Sequence, residues 1–178
     1  MNDHPFALHI TWTCYASWLP GDARGYVSNT LLPERGFLPK QNVPGTPCTA
    51  DDATTRGHAR ALQRHPTACL TEEHARCVAM SLIDAARQRQ WRILRAAIMA
   101  NHVHVVITAC PDDGPTVRRI LKGVSDAALR QQFPGQGRWW TAGGSDRYKH
   151  DWPAIEAAVQ YVKDQEHILS AIDDMQIV

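Results

Sequence analysis

The sequence predicts an α+β fold in which two helices pack on one face of a four-stranded antiparallel sheet. Residues 102–109 alternate in polarity, as a strand with one buried face does. Two longer stretches, starting near Thr71 and near Asp113, repeat apolar residues at helical spacing. The resulting order of strand, helix, strand, strand, helix and strand is that of a ferredoxin-like βαββαβ unit with strand order 4-1-3-2. A further C-terminal helix is expected to follow it.

The first half of this unit begins with a strand at residues 6–12, where Leu8, Ile10 and Trp12 share one face. The first helix is expected to start after Thr71, whose hydroxyl can cap it, and two glutamates occupy its first turn. Its apolar residues keep the three-four spacing of a buried face as far as Ala86. We interpret this helix as packing rather than chemistry.

The second half begins with a predicted hairpin, in which residues 91–99 and 102–109 are strands joined by a turn at 100–101. Residues 112–115 open the second helix, and residues 133–135 end it. We expect residues 138–141 to form the fourth strand and residues 143–147 a tight loop. The last helix then starts at Asp151, with a buried stripe that continues to Leu169.

Length and composition predict a single domain over residues 1–178. Six of the eleven prolines fall in residues 20–69, so we interpret about 20–70 as a Pro-rich insertion. The chain has five cysteines and no Cys-x-x-Cys pair, which argues against a disulfide framework and a zinc knuckle. No apolar run is long enough for a membrane helix and no secretion signal is evident, so a cytoplasmic protein is expected.

Positive charge is concentrated in the middle of the chain. Residues 56–149 carry fifteen Lys/Arg against seven Asp/Glu, although the whole chain has a net charge of only +1. This block can form a phosphate-binding surface, or it can consist of ordinary solvated helix faces. The candidates for DNA contact are Arg118, Arg119 and Lys122 on the second helix and Arg147 in the following loop.

Two histidines mark the third strand as the candidate site. Because strand side chains alternate, His102 and His104 lie on one face while Val103, Val105 and Ile107 line the other. The valines and the isoleucine should pack under the two helices, so the histidines should emerge on the opposite face. A half-solvated sheet could carry two histidines by chance, and the pair needs partners before it indicates a metal.

The candidate partners lie in the last helix, where Tyr161 and Gln165 are one helical turn apart. They fall about 90° from the buried stripe, where a side chain is half shielded and still reachable. A tyrosine in such a place is often a packing residue at the rim of a core. Its position near a histidine pair would make it a candidate nucleophile.

With the His-Val-His strand and the Tyr161 helix together, the chain resembles the single-tyrosine HUH transposases of small insertion sequences and REP elements. The resemblance extends to residues 10–25, 95–107, 121–123 and 140–151. It implies Tyr161 as the nucleophile, and His102, His104 and Gln165 as ligands of Mg²⁺ or Mn²⁺. It further implies a single-stranded DNA hairpin as substrate, a 5′-phosphotyrosine intermediate and a free 3′-hydroxyl.

The sequence departs from the palindrome-associated branch of that family, because residues 163–166 (Lys-Asp-Gln-Glu) stand where an Asn-Pro pair typically follows the tyrosine. This departure and the long insertion leave open the branch and whether the protein acts as a homodimer.

Other interpretations stay open. The chain could be a domesticated DNA-binding module without catalysis, or a metal-dependent phosphoesterase that uses water in place of Tyr161. The triplet at residues 9–11, His-Ile-Thr, resembles half of the signature of two-histidine phosphoesterases, but the chain has no second copy. We therefore interpret His9 as a sheet residue near the site.

Overall fold

The predicted α+β architecture is confirmed, with a larger sheet than expected. The computed structural model describes residues 6–22, 31–32, 36–37 and 52–178, so residues 23–30, 33–35 and 38–51 of the Pro-rich insertion lie outside the described residues. The strands are β1 (Ala7–Thr13), β2 (Leu31–Leu32), β3 (Gly36–Phe37), β4 (Arg92–Met99), β5 (His102–Thr108), β6 (Ser145–Lys149), β7 (Ile168–Asp173) and β8 (Gln176–Ile177). The helices are α1 (Ala53–Ala61), α2 (Glu72–Gln88), α3 (Gly114–Gln132) and α4 (Trp152–Lys163).

The main sheet has six antiparallel strands in the order β6-β1-β5-β4-β7-β8. Its first four strands have the predicted 4-1-3-2 order, which places β5 inside the sheet between β1 and β4. β2 and β3 pair separately. The strand that carries both histidines is therefore held by hydrogen bonds on both sides.

The two faces of the sheet are covered by different helices. On one face, alternate residues of β1 and β5 pack with α2 and α3 in the larger apolar cluster, which includes Leu8, Ile10, Val105 and Leu121. On the other face, α4 packs on a smaller cluster through residues such as Ile155 and Val162. The odd and even positions of each strand thus serve different layers.

The starts of the two core helices agree with the sequence signals. Thr71 caps α2, where its hydroxyl accepts from the backbone of His74 and the His74 ring accepts from the backbone of Thr71. Asp113 caps α3 by accepting from the amide of Thr116. Both caps satisfy amides that the first turn of a helix leaves without partners.

The predicted fourth strand is wrong. Residues 138–141 contribute only an isolated bridge between Trp140 and Cys14, and the edge strand is Ser145–Lys149. Trp139 and Trp140 are nevertheless buried, because they pack into the larger cluster from an irregular segment. The real strand has few apolar residues, which an edge strand tolerates and which hides it from an alternation search.

Gly144 explains how this edge strand approaches β1. Its φ is +150°, and a Cβ there would lie 2.6 Å from the carbonyl oxygen of Thr11 and 2.6 Å from Cδ of Arg118. Only glycine fits such a conformation and such a close backbone contact. This glycine leads the chain into the pairing of β6 with β1.

The predicted length of the last helix is also wrong. α4 ends at Lys163 with Asp164 as its C-cap, and Leu169 belongs to β7, not to a buried helical stripe. The β7–β8 hairpin, which extends the sheet beyond β4, was not predicted. Its two-residue turn has positive φ at Asp174 and Met175, as a type I′ turn requires, but it lacks the usual Asn-Gly signal.

No helix in the described part of the chain is both long and apolar enough to cross a membrane.

Candidate active site

The histidine pair lies on the face of β5 that α4 partly covers. Val103, Val105 and Ile107 are fully buried in the larger cluster, as the alternation predicts. The rings of His102 and His104 lie on the opposite face, 5.0 Å apart between centroids and nearly perpendicular. His104 is only 6% exposed. The strand thus presents two adjacent imidazoles to the α4 side.

The Nδ1 atoms of both histidines have hydrogen-bonding partners. Nδ1 of His104 lies 2.9 Å from Oγ1 of Thr11 and 3.1 Å from Nε2 of His9. Nδ1 of His102 lies 2.6 Å from Oδ1 of Asn101. Partners on Nδ1 fix the orientation of an imidazole, and they are typical of histidines that bind a metal through Nε2.

Burial keeps His104 and His9, the inner histidines of the cluster, neutral. It lowers the pKa of His104 to about 3, and the neighbouring His102 and His9 act in the same direction. It also lowers the pKa of His9 to about 4, with contributions from the positive charges of Lys149 and Arg147. At neutral pH both rings therefore keep a nitrogen lone pair, which a metal ligand or a hydrogen-bond acceptor needs.

Tyr161 lies against the rings of His104 and His9. Its ring makes edge contacts with His104, at 5.6 Å between centroids, and with His9, at 5.7 Å. Ile155 and Val162 of the same helix are buried against the sheet, whereas Tyr161 is 53% exposed. The helix thus holds the phenol at the margin of the core, beside the histidines and still in contact with solvent.

Gln165 does not lie on the helix with Tyr161. It follows the C-cap of α4, and its side-chain amide donates to the backbone carbonyl of Tyr161 at 3.0 Å. The two residues are therefore not one turn apart on a helix, and the contact between them is a hydrogen bond at the end of α4. Metal binding through the amide oxygen of Gln165 stays a prediction.

The donor set fits a divalent metal in part. Imidazole nitrogens suit transition-metal ions such as Zn²⁺ and Fe²⁺, whereas Mn²⁺ and Mg²⁺ prefer oxygen ligands, so two imidazoles supply only part of a Mn²⁺ or Mg²⁺ site. Within the described residues, no three His, Cys, Asp or Glu side chains are grouped so as to hold a metal ion. From the described part of the chain, an ion bound by His102 and His104 could complete its coordination with an amide oxygen, or with oxygens of the substrate.

The predicted DNA-contact residues fall on two different layers. Three belong to α3, on the far side of the sheet from Tyr161. Arg118 forms a 2.6 Å salt bridge with the partly buried Asp146, and Lys122 donates to the carbonyls of Thr141 and Gly143 at 2.6 Å. Arg118 thus ties α3 to β6, and Lys122 ties α3 to the segment before it. Arg119 is exposed on the same helix.

Burial lowers the pKa of Lys122 to about 8, with Arg118 and Arg138 acting in the same direction.

Arg147 alone among these four lies on the layer of the histidines. It stands opposite His9 in the pairing of β1 and β6, and residues paired across two strands project from the same face. Lys149 stands opposite Ala7 in the same pairing and therefore lies on that face too. The edge strand thus places two cations beside the histidine cluster.

Three residues of this arrangement were absent from the predicted site, namely His9, Thr11 and Lys149. His9 and Thr11 share one face of β1, and β1 pairs with β5 in the predicted strand order. The signal that places both residues on the strand next to β5 was therefore present in the sequence, but their contacts with His104 depend on the register of the two strands. Lys149 had no such signal, because β6 itself was misplaced.

No protein-family model matches the chain. No curated protein matches it either. Among solved structures, the chain is similar to a REP-associated tyrosine transposase bound to a REP hairpin, with a TM-score of 0.48 and 12% sequence identity. The match covers 89% of this chain and 65% of that chain, so the protein spans less than two thirds of the length of that structure. The chemistry of the site therefore has to follow from its own residues.

Proposed function

We propose that the chain is a metal-dependent transposase that cleaves and rejoins single-stranded DNA through a 5′-phosphotyrosine intermediate on Tyr161. One observation carries the proposal: a half-exposed tyrosine ring touches His104, the inner member of the histidine pair, at 5.6 Å between centroids. A rim packing residue would not need neutral imidazoles beside it. A nucleophile that attacks a phosphate beside a metal bound by the histidine pair would.

The reaction needs a nucleophile that stays attached to the phosphate. The phenol oxygen of Tyr161 attacks the scissile phosphorus, so an oxygen–phosphorus bond forms and the bond from phosphorus to the 3′-oxygen breaks. The phenol proton passes to solvent, and the departing 3′-oxygen takes up a proton. Rejoining reverses these steps, because a 3′-hydroxyl attacks the phosphotyrosine and returns the phenol.

His102 and His104 would hold the metal, with Gln165 as a third ligand by the family resemblance. A bound Mg²⁺ or Mn²⁺ would neutralise charge on the scissile phosphate and orient its oxygens. The phenol has an ordinary pKa of roughly 10, so it needs such help near neutral pH. The contribution of the chain itself is to fix the rings of His102 and His104 through their Nδ1 partners and to hold Tyr161 against His104.

The substrate proposed is a single-stranded DNA hairpin, as the family resemblance implies. Arg147 and Lys149 support DNA on the α4 side of the sheet, because both lie beside the histidines. Arg147→Ala should weaken hairpin binding and reduce the slope of log K against log salt by about 0.7 to 1. Arg119→Ala, on the opposite layer, is the matched control and should leave the slope unchanged. The reverse result would move the DNA to the α3 side.

The test of the reaction is a covalent adduct between protein and DNA. Wild type, incubated with a labelled hairpin oligonucleotide and Mn²⁺, should give an adduct that survives denaturing electrophoresis. Tyr161→Phe should give none while still binding DNA, because it removes only the attacking oxygen. Tyr148→Phe is the matched control, since Tyr148 is also exposed and its hydroxyl accepts from the amide of Gly114. An adduct in Tyr161→Phe would place the nucleophile elsewhere, and cleavage without any adduct would favour a phosphoesterase that uses water.

A further inference from the structure

The third histidine of the cluster, His9, has no role in the reaction described above. It lies on β1 rather than on the His-Val-His strand, and it is 7% exposed. Its Nε2 lies 3.1 Å from Nδ1 of His104, and its ring contacts Tyr161. One buried side chain thus touches both the inner candidate ligand and the candidate nucleophile.

The contact between the two rings allows only two arrangements of hydrogen when both are neutral. Either Nδ1–H of His104 donates to Nε2 of His9, or Nε2–H of His9 donates to Nδ1 of His104. In the second arrangement the proton of His104 sits on Nε2, which then has no lone pair for a metal. Only the first leaves Nε2 of His104 able to bind one.

Thr11 bears on the same choice. Its Oγ1 also lies 2.9 Å from Nδ1 of His104, so this nitrogen has two neighbours. One N–H can donate to two acceptors at once in a three-centre hydrogen bond. If Nδ1 of His104 were instead the acceptor, the hydrogens of both donors would point at its one in-plane lone pair and repel each other. The geometry at Nδ1 therefore favours His104 as the donor.

We propose that His9 is a positioning residue, which accepts the Nδ1–H of His104 and thereby keeps the Nε2 lone pair of His104 directed at the metal. The metal part of this inference rests on the proposed function. Carboxylates and backbone carbonyls commonly perform this role toward metal-binding histidines. Here a neutral imidazole from the neighbouring strand takes their place, assisted by Thr11.

The role differs from that of a third ligand. A metal ligand must direct its lone pair at the ion, whereas Nε2 of His9 is directed at the ring nitrogen of His104. The other ring nitrogen, Nδ1, would carry the proton when Nε2 accepts. His9 therefore acts on the metal only through His104.

Two variants separate the acceptor from the ring. His9→Gln keeps an acceptor atom at similar reach and removes the aromatic ring, whereas His9→Phe keeps a ring against Tyr161 and removes the acceptor. Mn²⁺ affinity, measured without DNA from the free-ion signal in electron paramagnetic resonance, should fall about 10- to 100-fold in His9→Phe. It should return to within a few-fold of wild type in His9→Gln. Thr11→Val, which removes the second acceptor, should cause a smaller loss.

A merely structural ring would give the opposite ranking, with His9→Phe close to wild type and His9→Gln impaired. Equal large losses in both variants would make His9 a ligand. Either result would overturn the proposal. Thermal unfolding of each variant identifies any loss that follows from a damaged fold.

The protonation state can be read directly, and this reading does not depend on metal or DNA. Long-range ¹H–¹⁵N spectra of the imidazoles in the metal-free protein should show His104 protonated at Nδ1 and His9 unprotonated at Nε2. If His104 is protonated at Nε2, the positioning role is excluded even if the protein cleaves DNA. If the predicted tautomers are found in a protein that binds no Mn²⁺, the proposed function fails while the hydrogen bond from His104 to His9 stands.

Discussion

On one face of the sheet, α2 and α3 bury alternate residues of every central strand, and nearly all of them are apolar. On the other face a single helix, α4, covers a smaller cluster and leaves His9, Thr11 and His104 at its margin. The same strands build both faces. The comparison teaches that alternate positions of one strand can serve different purposes, because β5 carries core residues on one face and candidate ligands on the other.

The largest expected effect comes from the polar face and concerns activity alone. Changing both His102 and His104 to Ala should abolish metal-dependent cleavage, because it removes both imidazole donors. The fold should persist, since neither side chain belongs to an apolar cluster. Cleavage of a labelled hairpin measures the activity, and circular dichroism of the same sample shows whether the fold persists. Unchanged cleavage in the double variant would remove the pair from the site.

The converse change is on the core face of the same strand. Ile107 is fully buried in the larger cluster, so Ile107→Ala should lower the free energy of unfolding by about 2 to 5 kcal/mol. Its effect on cleavage per folded molecule should be small. Urea denaturation measures the first quantity. A loss below about 1 kcal/mol would mean that this face is less tightly packed than the structure indicates.

A smaller effect is expected on the pH dependence of stability, and it should come from the buried histidines of the α4 face. The buried His9 and His104 have pKa values of about 4 and about 3 in the folded protein, below the ordinary value of 6.5. Between the lowered pKa values and 6.5, the unfolded chain binds more protons than the folded protein does. Stability should therefore fall as the pH is lowered from about 6.5 towards 4. In His9→Gln this fall should be shallower. An identical pH dependence of urea unfolding in the variant would mean that burial of His9 does not contribute.

Much of this arrangement was predictable because strand alternation carries it. The pattern of β5 separates its histidines from Val103 and Val105, and the caps of Thr71 and Asp113 locate the two core helices. The strand order then brings β1 beside β5. These features depend on local periodicity, which a sequence displays directly.

The parts that were missed depend on tertiary context. β6 is polar because it is an edge strand, and its partner side chains, not its own pattern, define it. The end of α4 at Lys163 and the β7–β8 hairpin follow from pairing with β4, which no local signal reveals. The contact between His9 and His104 likewise requires the register of two strands that lie 95 residues apart.

The proposed covalent bond between Tyr161 and DNA can be tested by locating the DNA on the protein. After reaction with a hairpin oligonucleotide and Mn²⁺, nuclease and protease digestion followed by tandem mass spectrometry should find a nucleotide remnant on the peptide that contains Tyr161. The remnant should be joined to the phenol oxygen through its 5′-phosphate. A remnant on Tyr15, Tyr148 or any other side chain, or cleaved DNA with no modified peptide, would contradict the central claim that the α4 face carries the nucleophile.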